Sequence, residues 1–398
     1  MVISTSGSTP EASGPLVGIS VIEIGHSLAA PFAGQVLADL GATVIKIENP
    51  DGGDDARHWG PPFWMESSAV FQTVNRNKYS AAINLKDSAG ASQLKAMAAR
   101  ADIVIQNMRP GLVERYGVDA ETLCVDNPRL IYCNINAFGK AGPLRNNPGY
   151  DPLIQAFSGI MAVTGEVDRP PVRVGPSIID MGSGLWSVIG VLAALFRRNQ
   201  TGQGEIIDTS LYEAGLAWMN IPLANSMASG RDMGKSGSET PMLAPYRAYR
   251  ASDRYIIIAA GNDNLFRRLC EVIDRASWSS DPRFASNTTR VEHRAELNAM
   301  IEEVISALPS THWVSRLNES GVPCAPIQTP GEVIAHPQTE ALNIMQPTPE
   351  GAMTLVGLPL SFNGVRPTVR MRAPMLGADT DRAGQLIEDT ARSGGERE

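Results

Sequence analysis

Runs of apolar residues broken by short polar and glycine-rich stretches set the rhythm of the first two hundred residues. Val17–Ile24 reads as a buried strand, Pro31–Leu40 as a helix with proline at its start, and Thr43–Glu48 as a second strand after Gly41. Strand, helix and strand within about thirty residues make a βαβ unit, which implies parallel pairing. Ser80–Leu85, Ala89–Arg100 and Asp102–Gln106 repeat the theme, and Leu130–Asn136 adds a strand. Pro152–Met161 reads as a helix and Pro170–Ile179 as an extended segment ending at Asp180. Gly182–Asn199 is a strongly apolar helix closed by Arg197 and Arg198, which suit its negative end. Its most apolar stretch, Leu185–Phe196, is too short to span a bilayer. Gln203–Asp208 resembles a strand and Ser210–Met227 a helix. This alternation predicts an α/β fold with a large Rossmann-like, doubly wound layer.

The pattern changes after Ala228. Ser229–Thr240 is small and polar, Tyr246–Ala260 reads as a hairpin, and Asn264–Ile273 and Arg290–Leu308 as helices. The expected organisation is a disordered leader at 1–14 and a large domain at 15–228. A smaller α+β domain at 229–330 follows, then a return segment at 331–385 packing on the large domain and a flexible tail at 386–398.

Bulk chemistry removes several classes. The 398 residues carry a net charge of -8, from 34 Lys plus Arg against 42 Asp plus Glu, the opposite of the balance that grips nucleic acid. Cys124, Cys133, Cys270 and Cys324 are far apart, and the five histidines form no HExxH pattern. No metal site is therefore expected, and a reduced, cytoplasmic setting fits the thiols. The leader lacks the basic start and apolar run of a signal peptide, so no membrane association is expected.

Candidate chemistry gathers where strands end. Gly25-His26-Ser27-Leu28-Ala29-Ala30-Pro31 follows the first strand, at the place where parallel sheets bind ligands. It is not a GxGxxG fingerprint, and no P-loop occurs, which disfavours nicotinamide, flavin or nucleoside triphosphate. His26 either faces a ligand or is satisfied by the turn. Asn107-Met108-Arg109-Pro110-Gly111 follows the strand Asp102–Gln106, with Arg115 beyond; these groups either hold a phosphate or adenine or are solvated. Arg76, Lys78 and Lys86 form a loose basic set whose default is exposure. Asp180 is either an ordinary helix cap or a nucleophile. On the second reading the helix start keeps its carboxylate ionised, and Gly182, Ser183 and Gly184 leave room for a bulky acyl group. Tyr150 and Asp151 open the preceding helix and read as packing and cap until something distinguishes them.

Several segments, in order, resemble the class III CoA-transferases, whose relatives include formyl-CoA transferase, carnitine CoA-transferases and alpha-methylacyl-CoA racemase. They are "VIEIGHSLAAPFAGQVLADLGATVIKIENP" within Gly18–Pro50, "ADIVIQNMRPGLVERYGV" at Ala101–Val118, "FGKAGPLRNNPGYDPLIQAFSGIMAVTG" at Phe138–Gly165, "VRVGPSIIDMGSG" around Asp180 and the late "GVPCAPIQTPGEVIAHPQ". The resemblance runs from about Gly14 to about Gly377. It implies a large and a small domain, an interlocked homodimer, and coenzyme A as substrate and carrier. It places the catalytic aspartate on Asp180 and coenzyme A contacts on His26, Ser27, Leu28, Ala29, Ile83, Lys86, Asn107, Met108 and Arg115. Tyr150, Asp151 and His26 become candidates for orienting the substrate. The implied reaction moves CoA from an acyl-CoA to a carboxylic acid through an aspartyl anhydride and an aspartyl-CoA thioester.

The sequence also departs from its relatives. Formyl-CoA transferase has glutamine where Leu28 stands and a glycine run where Gly234–Pro245 has none, so a formyl and oxalate specificity is not carried over. The racemases use a histidine where Tyr150 stands, and a phenol with an ordinary pKa of about 10 is a poorer proton carrier. Racemisation of an acyl-CoA is the alternative within this resemblance, and a non-catalytic protein that binds CoA esters is the alternative outside enzymes.

Overall fold

The computed structural model describes residues 14–395, so the leader expected at 1–14, Gly14 apart, lies outside the described residues, as does the chain after Gly395. Two compact units emerge. One comprises the residues up to Ile160, Arg173–Leu223 and the chain from Gln338; the other comprises Met161–Val172 and Ala224–Pro337. Met161–Val172, which the sequence placed with the large domain, thus clusters with the second unit.

The first unit is built on six parallel strands. β1 (Ser20–Ile24) leads into α1 (Ala29–Asp39) and β2 (Thr43–Glu48); β3 (Lys78–Ala82), α2 (Ser88–Ala98), β4 (Ile103–Gln106) and α3 (Leu112–Tyr116) follow. Next come β5 (Ile131–Asn136), α4 (Asp151–Phe157), α5 (Ile178–Thr201), β6 (Ile206–Ser210) and α6 (Leu211–Trp218). The strands lie in the order β3-β2-β1-β4-β5-β6, every pair parallel. That is a Rossmann-like order, reversing between β1 and β4, and the crevice beyond those two strand ends is where such sheets take ligands. One face buries Ile22, Ile45, Leu94, Val104 and Tyr132 in a single apolar cluster. α1 packs along α5 on the other face. The approach is close enough that a Cβ on Gly184 would lie 2.8 Å from the Ala29 carbonyl oxygen.

Three elements differ from expectation. The segment before Asp180, whose apolar run Val174–Ile179 reads as a strand, is irregular, because Pro170, Pro171 and Pro176 donate no ladder hydrogen bond. α5 therefore begins at Ile178, and Asp180 stands in its first turn rather than before it. At 24 residues α5 passes the length and composition test for a membrane span, contrary to the shorter apolar run read from sequence, but half of that window is buried inside the protein. The stretch expected to be a flexible tail from 386 is instead part of α10 (Ala383–Gly395). Ala383 and Ile387 join the apolar cluster, and Thr390 Oγ1 donates to Thr43 Oγ1 at 2.9 Å, so a helical stripe anchors it.

The second unit holds an antiparallel sheet of β7 (Tyr246–Arg250), β8 (Tyr255–Ala259) and β9 (Cys324–Pro326), in the order β9-β8-β7. Helices α7 (Asp263–Val272), α8 (Arg294–Ile305) and α9 (Ser310–Glu319) complete it. Tyr249, Ile256, Phe266, Leu269, Ile301 and Trp313 form its core.

Candidate active site

The crevice at the β1/β4 reversal holds two adjoining cavities that share His26 and Met108. The first, of about 220 Å³, is lined by Ile83, Lys86, Tyr116 and the carboxyl end of β2. The second, of about 230 Å³, is lined by His26, Ser27, Leu28, Ala29, Asn107, Met108, Arg109, Tyr150, Asp151 and Asp180, among others. The structure thus brings together all the site residues expected from the sequence except Arg115. That side chain is exposed on α3 and lines neither cavity; Arg109, in the turn before α3, is the arginine that does.

The turn after β1 is fixed from below and from the side. Asn107 uses both ends of its amide on it: Nδ2 donates to the His26 carbonyl at 2.9 Å, and Oδ1 accepts the His26 N–H at 3.0 Å. Asn107 is therefore a clamp on the turn rather than a free amide awaiting a phosphate or adenine. Ser27 adopts a left-handed backbone, with φ of 68°, and its N–H donates to Asp54 Oδ1 at 3.0 Å. Left-handed geometry is unfavourable for a residue with a Cβ, so that hydrogen bond holds the turn in shape. Behind Asp54 lies a buried cluster of charges. Lys46 Nζ sits 2.9 Å from both Glu23 and Asp54 and donates to the Gly25 carbonyl at 2.7 Å. Lys78 Nζ reaches Glu23 at 2.7 Å, so Lys78 is buried in this cluster and not exposed as its charge predicted. Arg76 is likewise buried, paired with Asp39 at 2.7 Å, and Lys86 alone of that basic set stays exposed. The His26 ring is half-buried, with Nδ1 3.1 Å from Ser27 Oγ, and burial lowers its pKa, favouring the neutral imidazole.

The start of α5 forms the opposite wall. Asp180 is half-buried, faces the cavity and pairs with no cation among the described residues. Burial, reinforced by the nearby Asp151 charge, raises its pKa to about 7. The sequence reading expected the helix start to keep this carboxylate ionised; desolvation and a like charge outweigh that effect here. The small residues after it also serve a different purpose from the one expected. Gly182, Ser183 and Gly184 are buried, and a Cβ on Gly182 would lie 2.6 Å from the Trp218 indole nitrogen. They admit Trp218 and α1, not a ligand.

Asp151 is the residue whose role sequence reasoning missed. It opens α4 but accepts hydrogen bonds from Ile179 N–H at 2.8 Å and Asp180 N–H at 3.3 Å, in the first turn of α5. No local pattern announces a cap supplied by a helix 28 residues away. Tyr150 precedes α4, half exposed at the cavity. Among the described residues no group of His, Cys, Asp and Glu is arranged to hold a metal.

An open parallel sheet with a carboxyl-bearing helix start facing the crevice at its reversal point defines an α/β protein with a candidate active site there. The chain matches the profile of CoA-transferase family III over residues 16–380 and belongs to that family. It is 38% identical to the acetyl-CoA:oxalate CoA-transferase of Acetobacter aceti, covering 94% of this chain and 95% of that one. It is also 38% identical to the succinate–glutarate CoA-transferase of Agrobacterium fabrum, over 83% of this chain and 84% of that one. Among solved structures, a CAIB/BAIF family protein from Brucella suis superposes with a TM-score of 0.85 at 38% identity, covering 94% of this chain and 99% of its own.

Proposed function

We propose that this enzyme transfers CoA from an acyl-CoA to a small carboxylic acid through covalent intermediates on Asp180. The observation that carries the proposal is an uncompensated carboxyl, poised to ionise near neutrality, on the wall of a ligand cavity at the sheet's reversal point. The ionised Asp180 attacks the donor thioester carbonyl; the C–S bond breaks, CoA leaves as thiolate, and a mixed anhydride forms. The thiolate attacks the aspartyl carbonyl and expels the donor acid, giving an aspartyl-CoA thioester. The acceptor carboxylate then attacks that carbonyl, and CoA leaves again. Its thiolate finally takes the acceptor's acyl group from the new anhydride and frees Asp180. Each intermediate stays activated, so the exchange needs no ATP.

The cavity at Ile83 and Lys86 would take the nucleotide end of CoA, and the one at Asp180 the acyl group. Relatives named for oxalate and for glutarate support a small dicarboxylic acid as acceptor. Tyr150, where a racemase would need a proton carrier, argues for transfer over racemisation. The free thiols suit a reducing compartment, and the cytoplasm is the proposed location. A homodimer is proposed as the working form, because α5 leaves Trp186, Ile189 and Phe196 exposed on one stripe while its other stripe is buried. Light scattering should give about twice the 42.6 kDa chain mass; a monomer at working concentration would refute it.

The decisive experiment is mass spectrometry after incubation with acyl-CoA. A CoA adduct on the Asp180 peptide is expected in the wild type and absent in Asp180→Ala, with transfer falling on the order of a thousandfold or more. Unchanged turnover in the variant would end the proposal.

A further inference from the structure

α5 has no side-chain cap of its own: Ser177, at its N-cap position, makes no side-chain bond to the first turn. The helix is capped from α4. Asp151 Oδ2 accepts the Ile179 and Asp180 N–H groups, while Oδ1 accepts Gln155 Nε2 at 2.6 Å. Gln155 in turn accepts the Val174 N–H through Oε1 at 2.8 Å, which ties down the irregular segment leading into α5. Asp151 is 4% exposed and Gln155 fully buried. Both carboxylate oxygens of Asp151 are thus engaged by the protein, which makes it an anchor for the backbone at the start of α5.

We infer that Asp151 is a positioning residue for the transfer reaction: with its own carboxylate it holds the Asp180 backbone in place, and so sets a like charge beside the nucleophile. This rests on Asp180 being the nucleophile. Four other ionisable side chains line the cavity with Asp180: Asp151 and Tyr150 at the start of α4, His26 after β1 and Arg109 after β4. Of these, Asp151 is the one whose charge acts on the Asp180 carboxyl, second to burial itself. The arrangement places a like charge beside a nucleophile, with that carboxylate almost wholly covered by the protein's own donors. A carboxylate held partly protonated at neutral pH is a stronger nucleophile, once ionised, than one left at its ordinary acidity.

The test compares two neutral replacements, Asp151→Asn and Asp151→Ser, with the charge-preserving Asp151→Glu, in the full-length enzyme. Adduct formation on Asp180 is measured first in the wild type; its absence would remove the nucleophile itself and is read separately. The pH profile of kcat/KM is then recorded for each variant. In whichever neutral variant folds, the acidic limb should move to lower pH by about half a unit or more, because the like charge is gone. At optimal pH, kcat should fall about tenfold while KM for acyl-CoA changes less than about twofold. Asp151→Glu should keep the limb in place and still lose kcat, since its carboxylate is displaced from the α5 donors. A neutral variant whose limb coincides with the wild type overturns the inference, however slow that variant is; a purely structural cap would behave in that way.

Discussion

The turn after β1 and the start of α5 face the same cavity, yet they are held by opposite means. Beneath the turn, Lys46 and Lys78 meet Glu23 and Asp54 with almost no exposure, two cations against two carboxylates. Burial pushes the Asp54 carboxyl up, but Lys46 and the N–H donors of Ser27 and Ala56 override it, and the net shift is downward. Lys46 behaves in the mirror sense: burial opposes its charge, Glu23 and Asp54 prevail, and its pKa rises. Lys46 and Asp54 thus hold their charges, burial draws the Lys78 ammonium down to about 8, and the cluster serves as a support for the turn. At α5 a single carboxyl faces another carboxylate with no cation, and its ionisation is drawn into the neutral range. Balanced buried charge holds a backbone; unbalanced charge keeps a side chain reactive.

The most damaging way to break this contrast is to unbalance the support. Lys46→Met should leave Glu23 and Asp54 competing for Lys78 alone, and destabilise the fold by about 3–5 kcal/mol in urea unfolding. A loss below about 1 kcal/mol would show that the cluster is no support.

The α5 side is probed by pH. With the Asp180 pKa near 7, kcat/KM should fall about tenfold per unit below that value as the nucleophile protonates. The same group has a sign for stability. Its folded pKa lies above the unfolded value of 3.8, so the folded state binds the extra proton and stability declines as pH rises from about 4 to 7. Asp180→Asn should therefore raise Tm at pH 8 relative to the wild type and change it little at pH 4. Equal Tm values at pH 8 would contradict the raised pKa.

The smallest expected effect sharpens the turn's role. Asn107→Ala removes both bonds to the His26 backbone and should cost about 1 kcal/mol, read as a KM for acyl-CoA raised about fivefold with stability nearly unchanged. An unaltered KM would mean that Asp54 and Lys46 alone suffice to shape the turn.

Much of this was legible before any coordinates. Alternation of apolar runs with glycine turns marked all six parallel strands of the sheet to within a few residues, most plainly the four inner ones, since a strand buried on both faces leaves a continuous hydrophobic signature. The candidate crevice followed from where those strands end, and the motif resemblance pointed to Asp180 and most of the side chains that line the cavities there. What escaped was non-local. Lys78 reads as a surface charge until Glu23, 55 positions earlier, turns out to lie 2.7 Å from its ammonium group. Asp151 reads as the cap of its own helix until the fold lays α5 across it. The proline-rich approach to Asp180 carried enough Val and Ile to mimic a strand, and three prolines prevented one. Asp180 does line the crevice, but it stands inside α5 rather than before it, and its acidity was misread because desolvation depends on what covers a residue and not on what adjoins it in sequence.

β3 is an outer strand of the six-stranded sheet, and the chain's late segment closes that flank. The Ser80 N–H donates to Asp379 Oδ2 at 2.9 Å, the Asp379 N–H returns to the Ser80 carbonyl at 2.8 Å, and the Ala82 N–H donates to Thr380 Oγ1 at 2.9 Å. Trimming the protein before these residues would do more than shorten it. It would bare a row of backbone donors and acceptors able to recruit a strand from another molecule, turning the enzyme into a seed for self-association.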